Sequence, residues 1–138
     1  VLQFAFGDGG AQNPYLPHNL GRNTVLYTGT HDTDTLWGFL QTLSPATEGY
    51  LKDYLGAETQ QGAHQALLRS AYASVAQLAI LPVQDLLQLG SWARFNRPGT
   101  PSGNWEWRLS PQALSTQLPQ LAPQLRRWGA LCGRISKF

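Results

Sequence analysis

Three short apolar runs decide what this chain can fold into: residues 1–6 (VLQFAF), 24–27 (TVLY) and 79–83 (AILPV). The middle run is β-branched and apolar on both faces, with no polar alternation. That pattern belongs to a parallel strand covered by helices on both sides, or to a barrel strand. The first run reads as a buried strand entered partway. The third reads as a strand with Pro82 at its end, because proline has no N–H to give to a ladder.

Helical periodicity fills the space between the second and third runs. Residues 34–43 carry Leu36, Trp37, Phe39, Leu40 and Leu43 as one stripe. Ser44-Pro45 predicts an N-cap followed by proline at the first helical position, and Gly56 a stop after Tyr50, Leu51, Tyr54 and Leu55. Residues 62–78 form the clearest helix, with Ala63, Ala66, Leu67, Ala71, Val75 and Leu78 on one face. After the third run come a short helical turn at 85–89 stopped by Gly90, a Gly- and Pro-rich loop over 92–108, a helical stretch opened by Ser110-Pro111, and a last helix around 122–131.

Strands separated by helices imply parallel β–α units and an α/β fold. Three strands cannot close a (β/α)8 TIM-type barrel, which needs eight strands and about 250 residues. The order fits the last three β/α units of such a barrel, with residues 1–138 as a single partial barrel domain. An independent small α/β sheet is the structural alternative. The chain has no methionine and opens mid-pattern, so it is expected to be a C-terminal piece of a longer protein.

Composition removes several classes. Only 13% of residues are charged while 11% are aromatic, the reverse of a disordered chain. No run approaches the ~18 apolar residues of a membrane span. The single Cys132 excludes an internal disulfide and a multi-cysteine zinc site. Residues 1–93 hold three basic and seven acidic groups, and residues 94–138 seven basic groups and Glu106 alone. A basic tail bearing Trp105, Trp107 and Trp128 is one signature of nucleic-acid binding. Its arginines are scattered, however, and Arg beside Trp is equally how folded surfaces stack cations on rings, so neither nucleic acid nor membrane is expected as a partner.

The chemistry-bearing residues gather after the strands, where parallel α/β proteins build their sites. Residues 28–35 (TGTHDTDT) follow the second run and bring His31 and Asp32; Asp32 or Thr33 is equally well placed to be only the N-cap of the next helix. Residues 13–19 (NPYLPHN) follow the first run. They read either as a rigid connector whose asparagines bond their own backbone, or as a cleft wall with Tyr15 as a flat surface and His18 as a hydroxyl partner. After the third run come Asp85, Arg94 and Asn96. Asp85 and Arg94 are expected in supporting, structural positions. Residues 104–108 (NWEWR) form either a packed outer turn or a sugar platform. One histidine and two aspartates are too few for a metal site, and no phosphate loop, nucleophile elbow or dinucleotide fingerprint is present. Aromatic faces with amide and carboxylate groups, and few free charges, suit a neutral polyhydroxylated ligand.

Taken together, residues 1–7 (VLQFAFG), 13–19 (NPYLPHN), 25–34 (VLYTGTHDTD), 82–90 (PVQDLLQLG), 93–100 (ARFNRPGT) and 104–109 (NWEWRL) resemble the C-terminal part of the amylomaltases, the 4-α-glucanotransferases or disproportionating enzymes. The resemblance implies an α-amylase-like (β/α)8 barrel, with strands six to eight in this chain. It implies a retaining enzyme, without cofactor or metal, that moves α-1,4-glucan segments between maltooligosaccharides, amylose or starch-type glucans. It implies work in the cytoplasm of a bacterium or the plastid of a plant or alga. The family's nucleophile and acid/base lie on upstream strands, so neither would be in this chain. Its further aspartate maps to Asp32, with His31, Asn96, Tyr15 and His18 as expected sugar contacts. Thr33 stands where the family usually has Asn, and Phe95 where it commonly has Met. The competing readings are a hydrolase or branching enzyme of the same clan, and a glycan-binding module without catalysis.

Overall fold

The computed structural model describes residues 1–135 of the 138. Two strands, β1 (Val25–Tyr27) and β2 (Leu78–Ile80), pair in parallel with Val25 opposite Leu78 and Tyr27 opposite Ile80. A parallel pair needs a long crossover. Three helices supply it: α1 (Leu36–Gln41), α2 (Pro45–Leu55) and α3 (Gln60–Ala73). A short α4 (Val83–Leu86) follows β2, and α5 (Leu118–Leu131) closes the described chain after a π-helical turn at Ala113–Gln117.

The core lies between one face of the strand pair and the crossover helices. Leu26 packs there with Leu36, Leu40, Leu51, Leu67 and Leu68. The opposite face of the pair is apolar and open: Val25, Leu78 and Ile80 are all exposed.

The first run corrects an expectation. Leu2–Phe6 is a 3-10 helix, not a strand. Among the described residues no strand lies alongside it, so an extended conformation would leave its backbone groups unpaired. The 3-10 turn meets part of that need locally, with Phe4 N–H donating to Val1 O at 3.1 Å. Its apolar character is still used, because Leu2, Ala5 and Phe6 are buried.

Helix ends follow local chemistry. Ser44 Oγ accepts from Thr47 N–H at 3.2 Å, Pro45 occupies the first turn, and Gly56 ends α2 in the left-handed conformation at φ 64°. Helix α3 begins two residues earlier than its periodicity suggests, capped by Thr59, and ends by Ala73, so that Val75 is exposed and Leu78 belongs to β2. The Arg134 guanidinium gathers the carbonyls at this end, donating to Ala71, Tyr72, Ser74 and Ala76 at 2.7–3.3 Å. It gives the negative end of the helix a cation. Helix α4 ends before Gln88, which takes a positive φ of 55°, so Gly90 is not its stop. Helix α5 starts at Leu118, four residues before the expected start.

The buried face of α3 is rotated toward a polar residue. His64 is fully buried beside Ala63, Leu67, Leu68 and Ala71. Its ring meets Trp37 edge-on at 5.9 Å, and neither nitrogen has a hydrogen-bond partner. Burial pushes its pKa from 6.5 down to about 4. The unfolded chain therefore takes up a proton that the folded one refuses. In the full-length protein, stability relative to a His64→Phe variant is expected to be intact above pH 6.5 and to fall by up to about 3 kcal/mol toward pH 4. Denaturant titrations across that range measure the difference, and equal pH slopes in the two proteins would clear the imidazole of the effect.

Candidate active site

The segment after β1 is a tightly bonded turn. Thr30 N–H donates to Thr33 Oγ1 at 2.8 Å, and the Thr33 hydroxyl donates back to Thr30 O at 3.1 Å. Asp32 N–H reaches Thr30 Oγ1 at 3.3 Å. Gly29 sits in close approach: a Cβ there would lie 2.7 Å from Gln3 Nε2 and 2.9 Å from Thr33 Oγ1, so those side chains would have to shift. Gln3, the polar residue inside the first apolar run, donates to Asp34 O at 2.7 Å.

The cap of α1 decides what Asp32 is free to do. Thr35 is the N-cap and accepts from Gly38 N–H at 3.1 Å, so the alternative in which Asp32 or Thr33 caps the helix does not hold. Thr33 is spent on its own turn. Asp34 Oδ1 accepts from Thr35 N–H at 2.7 Å, and its Oδ2 from the Ser91 hydroxyl at 2.8 Å. A Cβ on Gly38 would overlap Ser91 Oγ and sit 2.6 Å from Asp34 Oδ1, so α1 can pack this closely only with glycine there.

Asp32 itself is presented outward, with its side chain 51% exposed. Asn96 Nδ2 donates to its Oδ1 at 2.6 Å. His31 Nε2 lies 3.3 Å from Oδ2. Arg94 donates to the Asp32 main-chain oxygen at 3.1 Å, and its guanidinium lies 3.8 Å from Asp34 Oδ2. Asn96, a sugar contact in the sequence reading, gives one N–H to Asp32 and keeps a second N–H and its Oδ1 for another partner. A carboxylate accepts at about four lone-pair sites, so Asp32 keeps acceptor capacity facing solvent.

Beneath the turn lies Asp85, at 1% exposure. Its Oδ2 accepts from the Thr28 hydroxyl at 2.6 Å and its Oδ1 from Leu36 N–H at 2.7 Å. It therefore ties both ends of the Asp32 turn to α4. Burial pushes its carboxyl above the usual carboxylate range, against the hydrogen bonds from Leu36 and Thr28, and Asp34 pushes the same way as burial.

A cavity of about 390 Å³ opens at the C-terminal ends of β1 and β2. Tyr27, Thr30, His31, Ile80, Asp85, Arg94 and Phe95 line it. Asp32 adjoins it through His31 without lining it. Trp105 stands over His31, with ring centroids 5.2 Å apart.

Tyr15 and His18 are not brought to this cavity. Tyr15 sits edge-on to Phe4 at 5.5 Å. His18 Nε2 faces Ala11 O at 3.1 Å and its Nδ1 faces Tyr54 Oη at 2.8 Å. A carbonyl only accepts, so Nε2 donates to it, and both ring nitrogens are engaged; a sugar contact by His18 would have to break one of these bonds. Asn13 and Asn19 bond main-chain oxygens of Phe4, Asp8, Ala11 and Asn13 at 2.8–2.9 Å, as the rigid-connector reading requires. The residues that sequence reasoning missed are Gln3 and Ser91. A polar residue interrupting an apolar run was the available signal for Gln3; Ser91 had none.

Comparison with known proteins agrees with the geometry. The family model for 4-alpha-glucanotransferase matches residues 1–115. The chain is 49% identical to the 4-alpha-glucanotransferase of Thermus thermophilus over 143 aligned positions, covering 98% of this chain and 28% of that protein. It is 44% identical to the chloroplastic/amyloplastic 4-alpha-glucanotransferase of Arabidopsis thaliana, covering 98% of this chain and 23% of that protein. Its fold superposes on an amylomaltase from Streptococcus agalactiae, solved in complex with acarbose, with a TM-score of 0.85 at 29% identity, over 96% of this chain and 26% of that one. The chain thus spans about a quarter of the length of the curated relatives it matches. On the family match and these relatives, the chain belongs to the 4-alpha-glucanotransferase family.

Proposed function

We propose that the protein containing this chain moves α-1,4-glucan segments between maltooligosaccharides or starch-type glucans by a retaining double displacement, and that Asp32 stabilises its transition state. In such a reaction one carboxyl group attacks the anomeric carbon. A second, about 5–5.5 Å away, protonates the leaving oxygen. A sugar hydroxyl, in place of water, then resolves the glycosyl-enzyme. In this reading both groups lie on strands preceding this chain, and the chain contributes the last units of a (β/α)8 barrel. The open apolar face of Val25, Leu78 and Ile80 supports a place in a larger sheet.

One observation carries the role of Asp32: its carboxylate is half exposed beyond the end of β1 and held by Asn96, while Thr35 takes the helix cap. A carboxylate fixed in this way accepts hydrogen bonds from sugar hydroxyls. Those bonds strengthen as the ring gains oxocarbenium character, which is differential binding and not proton transfer. Each charged hydrogen bond is worth roughly 1.5–3 kcal/mol, or about one to two decades of rate. His31, beside Asp32 on the cavity wall, is placed in this reading to bond the same glucosyl unit. Bacterial cytoplasm or a plastid is the setting that such substrates suit.

The test is a product analysis. The full-length protein incubated with maltotriose is expected to yield glucose and longer oligosaccharides with reducing ends conserved, while residues 1–138 alone yield neither. A net rise in reducing ends would favour the hydrolase reading. Transfer by the short chain alone would mean that the reacting carboxylates are misplaced.

A further inference from the structure

We propose that Trp105 is a specificity-determining residue, a platform that stacks on the glucosyl unit next to the one held at Asp32. This rests on the functional reading above and adds a second contact to the same site. The backbone of Trp105 has a φ of 65°, in the left-handed region that suits glycine and is strained for a bulky aromatic side chain. Such outliers persist only where the surroundings over-determine them, and they cluster at functional sites.

The surroundings do over-determine it. Asn104 Oδ1 accepts from Arg97 N–H at 2.8 Å, and Asn104 Nδ2 donates to Thr100 O at 3.0 Å. Trp105 N–H donates to Phe95 O, and the Arg108 guanidinium donates to Trp105 O at 2.9 Å. These bonds fix a strained residue whose ring meets Phe95 at 6.3 Å with a tilt of 33° and still remains 56% exposed. The neighbouring Trp107 differs: it is half-buried, with its ring edge-on to Phe95 at 5.6 Å. Both rings of this segment meet Phe95, and Trp105 is the one that keeps most of its surface open to a ligand.

The position of the offered ring identifies its ligand class. Its centroid lies 5.2 Å from that of His31 at a tilt of 37°, and His31 Nε2 is 3.3 Å from Asp32 Oδ2. A broad apolar surface one side chain away from a hydrogen-bonding carboxylate matches a pyranose that follows another along a chain, its C–H face toward the indole and its hydroxyls toward solvent. The platform therefore reads chain length: it acts on oligosaccharides that reach past the unit at Asp32 and leaves a single glucose unaffected.

Glycine is the discriminating substitution, because it removes the ring and the backbone strain together. In the full-length protein, Trp105→Gly is expected to raise the maltoheptaose dissociation constant roughly ten-fold, to leave glucose binding unchanged, and to hold or raise the thermal midpoint. Trp105→Phe, which keeps an aromatic face, should stay within about three-fold of wild type. Unchanged maltoheptaose affinity in Trp105→Gly would overturn the proposal. So would a lowered thermal midpoint accompanying the affinity loss, which would make Trp105 an anchor for a neighbouring part of the protein. If wild type transferred no glucan from maltotriose, the functional reading would fail first; if wild type transferred glucan and Trp105→Gly bound normally, only the platform would fail.

Discussion

Turnover of maltotriose by the full-length protein is expected to fall by roughly two to three decades when Asp32 is replaced by asparagine, with glucan affinity changed only a few-fold. Asparagine keeps the shape of the side chain and an oxygen that can still accept from Asn96. What it removes is the charge. Ground-state glucose carries no positive charge, so binding loses little. The transition state does carry positive charge, so the loss appears in kcat. Steady-state kinetics paired with calorimetric binding separate the two quantities. A rate near wild type would remove Asp32 from the mechanism, and a parallel collapse of affinity and rate would recast it as an ordinary substrate contact.

The parts of this fold that could be read from the sequence are those set by neighbours along the chain. The start and stop of α2 depend on Ser44, Pro45 and Gly56, each acting within one turn. The Asn-Pro stiffened connector at 13–19 likewise bonds mainly to itself and to oxygens a few residues away. The parts that could not be read depend on partners far away. Residues 2–6 have strand composition, but strand formation needs a neighbour, and without one the same side chains are buried from a 3-10 helix. The stripe on α3 gave Val75 and Leu78 to the core, whereas the structure gives that face His64 and Leu68, because the helix ends early to let β2 begin.

The site divides in the same way. Asp32 was conspicuous as a carboxylate just after a strand. Whether it capped a helix was not decidable from spacing, because the answer lay three residues on, in the hydroxyl of Thr35. The bond from Asn96 to Asp32 was hidden for the same reason: an amide in a loop after a strand has no visible partner until the fold supplies one. Trp105 and Trp107 were indistinguishable in sequence. The sign of one backbone angle, fixed by Asn104 and Arg108, separates them.

Asp85 carries the second large effect. It is 57 residues from Thr28 and 49 from Leu36, and it accepts a hydrogen bond from each. Asp85→Ala would leave two buried donors without acceptors, the Thr28 hydroxyl and the first N–H of α1. At roughly 1–3 kcal/mol for each orphaned group, the expected loss of stability is about 2–6 kcal/mol. Asp85→Asn should cost much less, because the amide keeps the volume and one acceptor and removes a buried charge. The raised pKa already marks that charge as costly: burial favours the protonated acid, so the stabilising contribution of this group is present at low pH and is lost as pH rises through its folded value. That slope runs opposite to the one expected of His64 on the facing helix. Because Thr28 and Leu36 bracket the turn that carries Asp32, Asp85→Ala should also lower kcat in whatever fraction remains folded, and Asp85→Asn should restore much of it. Chemical denaturation of both variants, with activities measured on the folded protein, tests the link. Lost stability with unchanged kcat in Asp85→Ala would confine Asp85 to holding the fold and detach it from the aim of the Asp32 carboxylate.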